Sequence, residues 1–267
     1  MAEHSASLSA AAIAAHRSTP ERIDIEVVAE TGSTNADLMA RGAAGTIGAP
    51  VLRIAEHQSA GRGRAGRSWL SAAGDSLTFS LAWRFAGADG PQRLSGLPLA
   101  VGVALAEALA GQGVPVQLKW PNDLLRNGAK LAGILIETQT SAGATLAVIG
   151  VGLNLRMPDA LEQQIGRQVA AAPWLARMDR NALVALLLEA LAATLAQFER
   201  HGFAPFAARW NGLHAWAGEK VAIIDHGVTL QQGRAAGVDD SGRLLLDTDT
   251  GRVAIAAGDV SLRLDAI

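Results

Sequence analysis

No cysteine occurs anywhere in the chain. Disulfides and cysteine-ligated metals are therefore excluded, and a reducing, cytoplasmic setting is the natural expectation. Charge of either sign is in short supply: 23 basic against 25 acidic residues leave a net charge of −2. That balance lacks the basic field that broad nucleic-acid binding needs. Uninterrupted apolar runs approaching the roughly 20 residues of a membrane span are absent too. The nearest, "NALVALLLEALAATLAQF", carries Glu189 and Gln197, meets Glu199 at its end, and reads as a buried amphipathic helix. The opening "MAEHSASLSAAAIAAHRSTP" has no leading positive charge and an early Glu3, which argues against a secretory signal. The six histidines (His4, His16, His57, His201, His214 and His226) show no metal-ligand spacing, so no metal site is expected. Neither a G-x-S-x-G elbow nor a Walker A sequence is present.

What is present is a 267-residue chain, 49% apolar, long enough for one large domain or for a medium and a small one. Its most distinctive stretch is "GRGRAG" at 61–66. Gly61, Gly63 and Gly66 satisfy G-x-G-x-x-G, the dinucleotide fingerprint, which has meaning only between a strand and a helix with an acidic residue about 20 positions on. A strand precedes it in "VLRIAEHQ", but "RSWLSAAGDS" is no helix, and the candidate acid Asp89 sits in the turn "GADG". The dinucleotide reading fails. Arg62, Arg64 and Arg67 share the loop with those glycines instead. The glycines are expected to confer flexibility, and the guanidinium groups to close on an anion through charge-assisted hydrogen bonds.

Along the chain, residues 1–22 read as a poorly ordered lead-in. "IDIEVVAE" alternates as a strand, and Ser33 or Thr34 is the N-cap of a short helix. A strand "LTFSLAWRF" precedes a long apolar helix, "LSGLPLAVGVALAEALAGQG", that ends at glycines. Short strands "VQLKW", "KLAGILIET" and "TLAVIGVGLNL" follow, then two helices, "RNALVALLLEALAATLAQFERHG" and "FAPFAARWNGLH". From about Gly218 the texture changes to short alternating runs punctuated by "DHG", "DDSG" and "DTG". That pattern predicts a small antiparallel barrel of roughly 50 residues. The fold class is thus α+β, with a lead-in over 1–22, a main domain over 23–215 and a small β-barrel over 216–267.

Four further stretches carry candidate chemistry, and each has a plain structural alternative. "KWPND" places Lys119 and Asn122 at a strand end, where Asp123 can hold a lysine or a magnesium ion; a tight turn alone also accounts for it. Lys130 opens "KLAGILIET", and a strand's first lysine is commonly a solvated edge residue. Gly133 there, with Gly150 and Gly152 in "GVGLN" before Asn154, suggests something lying close to the backbone of a sheet. Ser33, Thr34 and Asn35 are a helix start, and can also bind a small polar head group together with Gln58.

Taken in order, "ETGSTNADL", "AEHQSAGRGRAGRSW", "SLTFSLAWRF", "LKWPNDLL", "KLAGILIET", "VIGVGLNL" and "FAPFAARW" resemble the biotin protein ligases. The tail "GRAAGVDDSGRLLL" is similar to that family's small SH3-like barrel. The resemblance covers nearly everything from about residue 23. It implies a mixed-sheet catalytic domain of the biotin/lipoate ligase type. The implied activity is condensation of biotin with ATP to biotinyl-5′-AMP, then transfer to one lysine of a biotin carboxyl carrier protein. It assigns Lys130 and Arg64 to catalysis. Biotin falls to Ser33, Thr34, Asn35, Gln58, Gly61, Arg62, Gly63, Arg64, Lys130, Gly133 and Gly152. ATP and the adenylate fall to Arg64, Arg67, Lys119, Asn122, Asn154 and, as a stacking partner for adenine, Trp174, with Mg2+ on the phosphates. The head group is an array of donors and acceptors that a paired site discriminates strongly. Burying the four methylenes of the tail at about 0.8 kcal/mol each contributes roughly 3 kcal/mol.

Some relatives begin with a winged helix-turn-helix that represses the biotin operon. The residues preceding this ligase core are fewer than the roughly 60 such a domain requires, so no operator DNA and no membrane are expected as partners. The resemblance allows a monomer or a β-edge homodimer. The alternatives are a lipoate or octanoate ligase or transferase of the same fold, and a non-enzymatic module that binds a small molecule. The arginine loop and the SH3-like tail favour biotin.

Overall fold

Strict alternation along a few long strands gives one sheet two unlike faces. The computed structural model describes residues 7–19, 21–86, 93–141, 143–166, 168–258 and 260–265; Asp89 lies outside them. A seven-stranded sheet is built from β1 (Asp24–Thr31), β2 (Val51–Gln58), β3 (Ser76–Ala86), β4 (Gln117–Lys119), β5 (Asp123–Arg126), β6 (Ala129–Ser141) and β7 (Ala144–Asn154). Its order is β1-β2-β3-β7-β6-β5-β4. Only β1 and β2 run parallel, joined by helix α2 (Thr34–Ala43); every other neighbour is antiparallel.

Residues paired across strands point to the same side of a sheet, and the side alternates along each strand. One set of rows reads Ile54–Phe79–Val151–Ile134 and Leu52–Leu81–Ile149–Ile136. This face is apolar throughout and belongs to the main core, under helices α3 (Leu97–Ala110) and α5 (Arg180–His201). The other set reads Ala55–Thr78–Gly152–Gly133–Asp123–Lys119 and Arg53–Ser80–Gly150–Leu135. Glycines and small hydroxyls leave that face bare. Helix α2 covers one end of it through Leu38, against Ala82, Leu146 and Val148.

Helix α5 is long and apolar enough to cross a membrane by composition, yet 61% of its most apolar window is buried inside the protein. It is a core helix. Residues 10–15 depart from the expected disordered lead-in. They form α1 (Ala10–Ala15), capped by Ser9 and fixed by a fully buried Ile13. The Asn181 side chain at the start of α5 accepts from Ser9 N at 2.8 Å and donates to Ser7 O at 3.3 Å. A short alanine run gains helix from its cap and from docking, which its composition alone did not reveal. Strand β5 was likewise hidden, because "ND" reads as a turn. It pairs with β6 through a hairpin whose Asn127 and Gly128 take positive φ of 51° and 77°. Two further α-helices occur among the described residues, α4 (Asp159–Ile165) and α6 (Ala204–Gly212); the sequence does not announce α4.

The C-terminal unit contains β8 (Lys220–Asp225), β9 (Val228–Val238), β10 (Leu244–Thr248), β11 (Gly251–Ile255) and β12 (Ser261–Leu264). Hydrogen bonding runs β11-β10-β9-β8-β12, entirely antiparallel. No ladder joins β11 to β12, so among the described residues these strands form a five-stranded antiparallel sheet without a closed barrel. It docks on the larger unit through Asn211, which donates to Val238 O at 3.1 Å and accepts from Val238 N at 2.8 Å. Trp120 Nε1 adds a bond to Gly242 O at 3.3 Å.

Candidate active site

The bare face of the seven-stranded sheet is roofed by residues 61–69. They fold back on themselves as a small hairpin: Trp69 N donates to Gly61 O at 2.9 Å, Gly63 N to Arg67 O at 2.6 Å, and Arg62 bridges Ser68. Ala65 and Gly66 turn the chain at φ of 51° and 69°. The glycines here have a geometric use beyond the flexibility expected of them. A Cβ on Gly61 would lie 2.4 Å from Trp69 O, and one on Gly63 would lie 3.3 Å from Arg67 O. The strand glycines serve the same end. A Cβ on Gly152 would stand 2.3 Å from the Trp69 indole, and one on Gly133 would stand 2.8 Å from Lys130 Nζ. The room created on the sheet is taken up by the Trp69 ring and the Lys130 stem.

Lys130 Nζ sits 2.6 Å from Asp123 Oδ1, and Lys119 Nζ sits 3.7 Å from the other carboxylate oxygen. The register makes this pairing, since Lys119, Asp123 and Gly133 stand side by side in one row. With Lys130 and Asp123 only 19% and 16% exposed, the pair is shielded from most solvent screening. Lys130 also lies 5.5 Å from the centre of the Trp69 ring, and Lys119 lies 4.9 Å from that of Trp216. The cleft therefore gathers two ammonium groups and the loop guanidiniums around two carboxylates, Asp123 and Glu137, an excess of positive charge.

At the other end, Ser33 caps α2 by accepting from Ala36 N at 3.4 Å. Thr34 N donates to Gln58 Oε1 at 2.8 Å, and the Thr34 and Ser80 hydroxyls meet at 2.7 Å. Ser80 Oγ donates to Asn35 Oδ1 at 2.6 Å, and Asn35 Nδ2 donates to Glu137 Oε2 at 2.9 Å. Arg62 Nη2 donates to the same oxygen at 2.7 Å. Arg64 donates to Asn122 Oδ1 at 3.2 Å and to the Gly258 carbonyl of the C-terminal unit. Asn122 in turn donates to Ile134 O at 2.6 Å.

Three spaces with shared lining residues open around this machinery. The inner one is about 90 Å³ and lies between the head-group residues, the hairpin, Lys130 and the glycine row. It is smaller than the roughly 300–1,000 Å³ of small-molecule sites, so the Trp69, Lys130 and arginine side chains must shift to admit a ligand. The second, about 760 Å³, runs from Gly61 to Arg67 along Asn122 and Glu137 to Gly258. The third, about 390 Å³, is lined by Arg67, Lys130, Asn154 and Arg263.

The structure thus brings Ser33, Thr34, Asn35, Gln58, Gly61, Arg62, Gly63, Arg64, Arg67, Asn122, Lys130, Gly133, Asn154 and Gly152 together around one cleft. Lys119 reaches it through Asp123. Trp174 does not join them; its ring stacks on the Arg126 guanidinium at 4.0 Å, and it lines none of the three spaces. Sequence reasoning passed over Trp69, Ser80, Glu137 and Arg263. The alternation in "ILIET" places Glu137 on the glycine face, a signal that was available. The buried, unpaired indole N–H of Trp69 is visible only in three dimensions. No group of three or more His, Asp or Glu side chains suited to a metal occurs among the described residues.

A bare sheet face closed by a cationic hairpin, with an SH3-like unit following, defines the class of the biotin and lipoate protein ligases. The model of the biotin/lipoate A/B protein ligase family matches residues 33–154, and that of the biotin protein ligase C-terminal domain matches 217–263. The biotin--[acetyl-CoA-carboxylase] ligase of Mycobacterium tuberculosis is 39% identical over 245 residues, 88% of this chain and 88% of its own. The bifunctional ligase/repressor BirA of Escherichia coli is 36% identical over 247 residues, 90% of this chain and 74% of its own. Among solved structures, the biotin protein ligase from Aquifex aeolicus in complex with biotin and ATP superposes with a TM-score of 0.72 at 26% identity, covering 91% of this chain and 99% of that one. The chain belongs to the biotin protein ligase family.

Proposed function

We propose that this protein activates biotin with ATP and transfers the biotinyl group to a lysine of a biotin carboxyl carrier protein. The observation that carries this is the row Lys119–Asp123–Gly133–Gly152, with Lys130 held at its edge and the arginine hairpin above. In the first step a biotin carboxylate oxygen attacks the α-phosphorus of ATP. A P–O bond forms, the bond to the β-phosphate oxygen breaks, and pyrophosphate leaves. Two anions must meet, so the cations supply most of what the reaction needs. Lys130 neutralises the carboxylate and the attacked phosphate, and Arg64 and Arg67 hold the adenylate against water. In the second step the carrier's lysine amine attacks the acyl carbon, forms the amide and releases AMP.

Head-group recognition falls to Ser33, Thr34, Asn35 and Gln58, with Gly61, Arg62 and Gly63 bordering it. Gly133 and Gly152 keep the floor thin enough for the tail. Lys119, Asn122 and Asn154 serve the nucleotide, with Trp174 the more distant candidate against adenine. For magnesium, the lone carboxylate of the row, Asp123, is already engaged by two lysines. That donor set fits an ion coordinated chiefly by ATP oxygens and water, and its contribution is to neutralise phosphate charge. We set the catalytic domain at 23–215 and the C-terminal unit at 216–267. The need for ATP supports a cytoplasmic site of action. The carrier protein is the partner, and β1, which ends the sheet, offers the edge for a homodimer as an alternative to a monomer.

The test is intact-mass analysis of a biotin carboxyl carrier domain, and of a lipoyl domain, after incubation with the protein, magnesium-ATP and either biotin or lipoate. One biotinyl mass on the carrier, dependent on ATP, is the expected result. A gain with lipoate alone would move the protein to the sister activity, and no gain with either acid would overturn the catalytic reading.

A further inference from the structure

We propose that Glu137 is a positioning residue: it fixes the hydrogen-bond polarity of the head-group pocket and anchors the arginine hairpin above it through Arg62. This deepens the biotin reading and rests on it. Asn35 Nδ2 faces two acceptors, Glu137 Oε2 at 2.9 Å and Leu135 O at 3.3 Å. Turning the amide over would aim its carbonyl oxygen at both, one of them a carboxylate, so Glu137 holds Asn35 with Oδ1 towards Ser80.

Ser80 has one hydroxyl proton, and Asn35 Oδ1, at 2.6 Å and unable to donate, takes it. The single Thr34 hydroxyl proton then faces two acceptors, Ser80 Oγ at 2.7 Å and Gln58 Oε1 at 3.1 Å, and the nearer Ser80 oxygen, its own proton already committed, takes it. Gln58 Oε1 keeps the Thr34 backbone N–H at 2.8 Å. The Thr34 oxygen is left as an acceptor on the wall of the inner space, suited to an N–H of a cyclic urea. A neutral amide in place of Glu137 can present either its N–H2 or its oxygen to Asn35. The whole chain of protons can then reverse, and the Thr34 oxygen loses its fixed acceptor role.

The same carboxylate oxygen receives Arg62 at 2.7 Å. One oxygen therefore ties the hairpin to the head-group residues across α2, β3 and β6. Closure of the hairpin and orientation of the pocket are set by a single charge, and losing it should affect both.

The experiment is calorimetric titration of biotin, of biotin methylated on a ureido nitrogen, and of ATP, into wild type and Glu137→Gln, with adenylate release measured in parallel. The expected result is about tenfold weaker biotin binding and several-fold faster adenylate release in the variant, the scale of a charge-assisted bond. ATP affinity should be unchanged, and the preference for biotin over its methylated analogue should shrink by a similar factor. A purely structural role would not move that preference. Arg62→Gln separates the two arms: it cuts the tie between hairpin and Glu137, so it should speed adenylate release, while the preference, carried by the Asn35–Ser80–Thr34 chain, should shrink less than in Glu137→Gln. Wild type binding biotin with Glu137→Gln matching it in affinity, preference and release would overturn this inference alone. Wild type binding no biotin would overturn the function proposed above, and this inference with it.

Discussion

The two faces of the seven-stranded sheet share every strand yet do opposite work. Rows through Phe79, Leu81, Ile149 and Val151 are packed shut, while rows one residue away pass through Thr78, Ser80, Gly150 and Gly152. A period of two along the chain suffices to send stability to one side and chemistry to the other. Substitutions on the two faces should therefore separate activity from stability.

The largest effect is expected on the open face. Lys130→Ala should lower biotin-dependent adenylation by about 10³-fold, the scale of a lost transition-state donor, with little change in Tm. Pyrophosphate-exchange kinetics beside a thermal melt would show both. A loss of activity that merely tracked unfolding would erase the contrast. On the closed face, Leu81→Ala removes a fully buried side chain and should cost about 3–5 kcal/mol of stability. Below its melting point the variant should keep kcat/KM, and denaturant titration with kinetics at low temperature checks this.

His214 follows α6, where its backbone bridges Leu118 of β4. Burial pushes its imidazole down to about 4, its ring packs 4.7 Å from Trp210, and neither nitrogen has a partner. Because the folded value lies below the unfolded one of about 6.5, the unfolded chain takes up the proton first. Stability from this group is complete above about pH 6.5 and is lost as pH falls towards 4, by at most about 3 kcal/mol. His214→Phe should flatten that part of the stability profile; an unchanged slope would contradict the assignment. The smallest effect belongs to the hairpin. Arg64→Gly should release adenylate about tenfold faster, one charge-assisted bond being worth about that much. Biotin capture should be nearly normal, as followed by rapid filtration of preformed adenylate.

The contrast between faces was only half legible in the sequence. "LTFSLAWRF", "KLAGILIET" and "TLAVIGVGLNL" announce their strands because Phe79, Leu81, Ile134 and Ile149 recur at the period of a strand. Register does not announce itself: that Gly133 lies between Gly152 on one side and Asp123 on the other is decided by strand pairing. The short β5 hid behind the turn chemistry of Asn122 and Asp123, and α1 behind a composition that also suits a loose tail. Most of the candidate site was reached through the ordered motifs. Glu137, Ser80 and Trp69 were not, because their part comes from contacts made across four separate segments. The match around Trp174 is a loose local one, and its ring stacks on the Arg126 guanidinium.

The most direct test of the two-face account is calorimetric titration of biotin into wild type, Leu81→Ala and Gly152→Val at a temperature where all three are folded. A Cβ at position 152 enters the space of the Trp69 indole, so the valine variant should bind biotin at least about 100-fold more weakly, while the less stable Leu81→Ala matches wild type. Equal biotin affinity in wild type and Gly152→Val would contradict the claim that the glycine row is the floor of the site.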